Sequence, residues 1–216
     1  SIIKKDIIGR YPIKFPVALE ELASILINSF SCKISVNRIA KILNIKSPHT
    51  VKEYISYLES TFLLFGISKF SYKLKEHYTC FKKMYVIDNG IVSSMVFDFS
   101  SNKGRLLENC VAVELYRRSI MENYEFFYWD DQRRECDFII KKGPKITAVY
   151  QVCYELTENN RQREYAGLIK ALKEFNIKRG YILTMGQRDA NIVEGFCVTV
   201  LPVWQWMLFR QNNRKH

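Results

Sequence analysis

Residues 133–156 read RRECDFIIKKGPKITAVYQVCYEL, and this stretch decides the fold. It holds two apolar runs of strand length separated by Gly143-Pro144, a hairpin signature. Successive side chains of a strand point to opposite faces, so Glu135 and Asp137 share a side, as do Gln151 and Cys153. If the hairpin pairs the two runs, those polar groups meet. Polar side chains in an otherwise apolar sheet are costly unless something pairs with them.

Working outward, the upstream segment RLLENCVAVELYRRSIMEN (105–123) has helical spacing with few polar positions. It reads as a largely buried helix, which makes Glu108 notable. YEFFYWD (124–130) precedes the hairpin as a strand. Downstream, ENNRQREYAGLIKALKEFN is an amphipathic helix, RGYILTM and CVTVLPV are two more strands, and WQWMLFRQ is a closing helix. The order α-β-β-β-α-β-β-α predicts a mixed sheet with helices on its faces. Glu108, Asp137 and Gln151 then supply oxygens that converge, the donor type that magnesium takes together with water and phosphate. Glu135 is an accessory acid beside them. The alternative for Glu135 and Asp137 is a solvated strand start paired with Arg133 and Arg134.

The N-terminal part reads differently. SVNRIAKILNIKSPHTVKEYISYLESTFLL (35–64) holds two helical patterns broken by NIKSPH. Ser35 suits a cap, and Ser47-Pro48 combines a cap with proline at the first helical position. The second pattern carries Val51, Tyr54, Ile55, Leu58 and Phe62 on its apolar side. Two short helices joined by a tight turn form a helix-turn-helix. Two strands follow, in LLFGISKFSY and KKMYVID, so a winged helix is expected over residues 1–79 and a second domain over 80–216. DNA contact by such a unit would use Lys46, Ser47, His49, Thr50 and Lys52, with Lys69, Lys73 and Lys75 on phosphate from the wing. Asp88-Asn89-Gly90 reads as a tight turn after a strand.

Bulk composition agrees with a folded, basic protein. The chain of 216 residues has 48% hydrophobic residues and a formal net charge of +11. Nucleic acid is a natural partner for that charge. The six cysteines form no CxxC pair, so they read as reduced core residues of a cytoplasmic protein rather than a zinc or disulfide framework. His49, His77 and His216 are scattered and form no visible catalytic or zinc set. No apolar stretch of about 20 residues predicts a membrane span. No glycine is followed by lysine, so no GxxxxGK nucleotide loop is present in this sequence.

The helix acid Glu108, the strand acid Asp137 and the Gln151-Val152-Cys153 triplet resemble, in order and spacing, the PD-(D/E)XK nuclease fold of restriction endonucleases and Holliday-junction resolvases. That resemblance implies a Mg²⁺ site at Glu108, Asp137 and Gln151. It also implies a lysine where this chain has Cys153, a departure that argues against efficient cutting. Lys141, Lys142, Arg161 and Arg163 lie near in sequence as substitute cations. More widely, KKMYVIDNGI (82–91), NKGRLLENCVAVEL (102–115), ECDFII (135–140) and QVCYEL (151–156) occur in an order that resembles the C-terminal region of a family of archaeal and bacterial AAA+-type ATPases. There a winged helix and a nuclease-like domain follow a P-loop ATPase. The resemblance, together with a chain that starts at Ser1, implies the C-terminal part of a longer protein. Its partners would be DNA and the ATPase domain. Three functions compete: a DNA-binding module with impaired nuclease chemistry, a Mg²⁺-dependent DNA endonuclease, and a structural or regulatory docking module.

Overall fold

The computed structural model describes residue 7 and residues 9–73, 81–95 and 102–208. Lys75, His77, Cys80, His216 and the end of the closing helix lie outside these. The described residues form an α/β protein of two compact units, one within residues 1–69 and 73–100, the other within 70–72 and 101–216.

The first unit starts with α1 (Pro16–Asn28) and β1 (Cys32–Ile34). Then come α2 (Val36–Ile42), α3 (Pro48–Ser60), β2 (Leu64–Ile67), β3 (Lys82–Val86) and α4 (Asn89–Met95). Ser35 caps α2 by accepting from the Arg38 N–H at 3.3 Å. Pro48 opens α3, where its missing N–H is no loss. Val51, Tyr54, Ile55 and Leu58 are buried along one stripe of α3. Phe62, expected on that stripe, is 64% exposed. The helix ends at Ser60, and Phe62 lies beyond it in the left-handed region at φ 56°. Strands β2 and β3 pair antiparallel, and β3 also pairs with the unexpected three-residue β1. The Asp88-Asn89-Gly90 segment is a tight turn after β3, as expected, and it also starts a helix. Asp88 Oδ1 accepts from the Gly90 N–H at 2.6 Å, and α4 begins at Asn89.

The second unit contains α5 (Lys103–Glu122), β4 (Glu125–Asp130), β5 (Glu135–Lys142), β6 (Lys145–Val152), α6 (Glu158–Glu174), β7 (Arg179–Thr184), β8 (Asp189–Val193), β9 (Phe196–Pro202) and α7 (Val203–Leu208). Its six-stranded sheet runs β4-β5-β6-β7-β9-β8. Strands β4 to β6 are antiparallel neighbours, β6, β7 and β9 are parallel, and β8 returns antiparallel. Strand β8 was not expected, because DANIV is short and its burial is slight. Gly143 takes φ 59° in the β5–β6 turn, a conformation glycine reaches without a Cβ clash.

Helix α6 covers one face of this sheet. Leu168, Ile169 and Leu172 pack there with Ile139, Val149, Ile182 and Val198. Alternation sends Tyr150 to the other face, where its ring meets Trp206 of α7 edge-on at 5.7 Å. Arg118 of α5 lies over the same Trp206 ring at 4.4 Å and donates to the Trp206 and Met207 carbonyls. Helix α5 is less buried than its composition predicts, since Ile120 and Met121 are exposed. Phe70 belongs to this unit. Its N–H donates to the Tyr128 carbonyl at 2.8 Å, and its ring meets Phe127 and Phe175 edge-on.

Candidate functional site

The hairpin of β5 and β6 pairs from Lys142–Lys145, through a register shift between Lys141 and Ile140, up to the pair Phe138–Tyr150. Beyond it the two strands part. The Val152 N–H donates to Asp137 Oδ2 at 2.9 Å, so a carboxylate takes the place of a strand carbonyl. On its other edge β6 continues in parallel with β7, where Val152 pairs with Leu183. An open crevice at the carboxyl end of a parallel strand, next to the following helix, is where α/β sheets place ligands.

A cleft of about 860 Å³ lies there, entirely within the second unit. Glu108 reaches it from α5, Glu135 and Asp137 from β5, and Gln151 and Cys153 from β6. All four residues predicted for the site, Glu108, Glu135, Asp137 and Gln151, therefore line one cleft, and Cys153 lines it as a fifth. Asp137 and Gln151 are buried at 6% and 8% exposure, while Glu108 and Glu135 are half-buried. Among the described residues, no three His, Cys, Asp or Glu side chains gather as an ion cage. A cation here needs the amide oxygen of Gln151 as well as carboxylates. That oxygen is suited to the task, because Gln151 Oε1 is buried with no hydrogen-bond partner.

Cys153 occupies the position of the expected cation. Burial first, then the negative charge of Glu164, pushes its thiol up to about 11. The Sγ donates to the Glu155 carbonyl at 3.0 Å and lies 3.5 Å from the Asn160 amide. It is a neutral, structural thiol. Of the four substitute cations considered, Arg163 lines this cleft, and Arg133, Arg134 and Arg105 stand around it.

Glu164 was missed by the sequence reading. It is 5% exposed, and Oε2 accepts from Gln151 Nε2 at 2.9 Å. Its Oε1 accepts from two N–H groups of Arg163, at 2.6 and 3.0 Å. A signal was present: Glu164 stands four residues before Leu168, on the apolar stripe of α6. Gly167 sets the depth of the helix. A Cβ there would lie 2.2 Å from the Glu135 carbonyl oxygen, so only glycine lets α6 approach β5 this closely.

In the first unit, Lys46, Ser47, His49 and Lys52 are exposed around the start of α3, and Thr50 and Lys69 are half-buried. His49 Nδ1 lies 3.6 Å from Glu53 Oε2. Lys73 is exposed. Lys46, Ser47 and Thr50 also edge a groove of about 830 Å³ with Phe15, Pro16 and Val17. The cysteines described are all free; Cys136 and Cys153 are buried and Cys32, Cys110 and Cys197 half-buried. Among the described residues no helix is long and apolar enough to cross a membrane.

Residues 1–103 match a domain of unknown function, DUF8612. Residues 103–206 match a second, DUF4143, known as a C-terminal region associated with AAA ATPases. The chain is 34% identical to an uncharacterized protein of Methanocaldococcus jannaschii and 26% identical to one of Haemophilus influenzae. Each match covers 96% of this chain but only 48% and 50% of the relative. The chain thus spans about half the length of these curated relatives.

Proposed function

For a chain whose two halves match these two domains, we propose a DNA-binding C-terminal module of an AAA+-type ATPase. In this reading the first unit is a winged helix-turn-helix. The second is a PD-(D/E)XK nuclease-like domain with impaired cutting chemistry. The observation that carries it is the cleft at the parted ends of β5 and β6. Glu108, Asp137 and Gln151 line it, and a neutral Cys153 stands where cutting calls for a cation.

Glu108, Asp137 and the free Gln151 oxygen would hold a divalent ion, which polarises a phosphate and activates water when bound. The chain's own contribution is to shape the cleft, orient the Gln151 amide and withhold a proton-transferring group at Cys153. The arginines around the cleft suit phosphate oxygens, which guanidinium groups meet in paired hydrogen bonds. The net charge of +11 supports the same partner.

A titration of duplex DNA at about 50 mM and about 200 mM salt tests this. Binding should be tight at the lower salt and fall steeply. Absence of binding at the lower salt would reject the reading. Incubation of supercoiled DNA with Mg²⁺ should give little nicking. Robust nicking that disappears in Asp137→Asn would instead favour the endonuclease. A docking role has one observation in its favour: the wall of the groove beside Lys46, Ser47 and Thr50 includes Phe15, Pro16 and Val17, apolar groups better matched to protein than to phosphate. Retained DNA affinity after Lys46→Ala and Lys52→Ala, with unchanged salt slope, would support it.

A further inference from the structure

We infer that Glu164 is a positioning residue that turns the carbonyl oxygen of Gln151 into the cleft. The inference rests on reading that cleft as a divalent-cation site. A glutamine amide has an acceptor end and a donor end of nearly equal size, and its neighbours decide which faces where. An ionised carboxylate only accepts. Glu164 Oε2 therefore draws the Nε2 group of Gln151, at 2.9 Å, and the Oε1 group must face the other way. That oxygen is buried, has no hydrogen-bond partner and belongs to a residue lining the cleft.

Glu164 is itself held. Arg163 occupies Oε1 through two N–H groups, which leaves Oε2 for Gln151. The depth of α6 is set by the missing side chain of Gly167, one turn after Glu164. Both Glu164 oxygens are engaged, so Glu164 acts through Gln151 rather than as a ligand of its own. Without it nothing would keep the amide from turning its NH₂ into the cleft, where hydrogens repel a cation. Groups that orient a ligand in this way typically alter metal affinity by about 10–100-fold.

Mn²⁺ binding to the whole chain, followed by electron paramagnetic resonance, provides the test. Wild type should bind, and Asp137→Asn should bind far less. Glu164→Ala should weaken binding by about 10–100-fold. Glu164→Gln keeps a side-chain oxygen that can accept from Gln151, so its affinity should lie between. The ¹⁵N–¹H signals of the Gln151 amide, identified by their loss in Gln151→Leu, give a metal-free readout. They should shift and exchange faster in Glu164→Ala. Should Glu164→Ala not fold, Glu164→Gln decides by the same two measurements. Wild-type Mn²⁺ affinity together with unmoved Gln151 signals in the Glu164 variants would overturn this inference alone. A wild-type chain that binds no Mn²⁺ would overturn the cation site and the inference with it.

Discussion

At the scale of single residues, Asp137 has one observed role and one proposed role, and substitution separates them. Its carboxylate accepts from the Val152 N–H where the hairpin ladder ends. Asp137→Ala leaves that buried donor without this acceptor, which costs about 1–3 kcal/mol. Asp137→Asn keeps an acceptor oxygen and should cost clearly less, though both lose the charge a cation needs. Urea midpoints of the two variants check this. Cys153 gives a second prediction. Its thiol is pushed up to about 11 by burial and then by Glu164, so alkylation by iodoacetamide at neutral pH should be slow and should quicken as pH approaches that value. A nearby negative charge opposes thiolate formation. Glu164→Gln should therefore lower the thiol's pKa and speed labelling, as peptide mass spectrometry would show.

At the scale of elements, the decisive feature is the approach of α6 to β5. Gly167→Ala places a methyl 2.2 Å from the Glu135 carbonyl oxygen, and backbone rather than a flexible side chain must yield. Overpacking of this kind costs about 1–3 kcal/mol, and a thermal melt should fall accordingly. The same shift moves Glu164 away from Gln151, so the Gln151 amide signals should change as well. The α2 and α3 starts follow from local chemistry, a serine cap and a proline at the first position. Strands β1 and β8 do not. Cys32–Ile34 is three residues long, too short for a strand period to register, and every residue of Asp189–Val193 is exposed or half-buried, so no buried apolar face marks it. Their partners β3 and β9 supply the hydrogen bonds.

At the scale of the whole molecule, the chain makes two units whose boundary is not a single point in sequence. Phe70–Tyr72 belongs with the second unit although residues on both sides belong with the first. Phe70 is 7% exposed in a cluster with Trp129, Leu172 and Val198. Phe70→Ala should cost about 3–5 kcal/mol in the second unit. Hydrogen exchange should quicken in β4 and β5 while β2 and β3 keep their protection. A boundary between residues 79 and 80, placed from the order of helices and strands, has no means of seeing this, since the three residues are assigned by what they touch.

The sequence by itself determined the helix-then-sheet order of the second unit, the β5–β6 hairpin at Gly143-Pro144, and the sharing of one strand side by Glu135 and Asp137. These follow from local periodicity and from the two-residue alternation of strands, which act over short stretches of chain. The tertiary structure alone decided that Glu164 meets Gln151, that Asp137 closes the ladder at Val152, and that Phe70 packs in the core of the second unit. Each depends on how far apart two elements come to rest. That distance is set by side-chain volume at the contact, here by the absence of any side chain at Gly167.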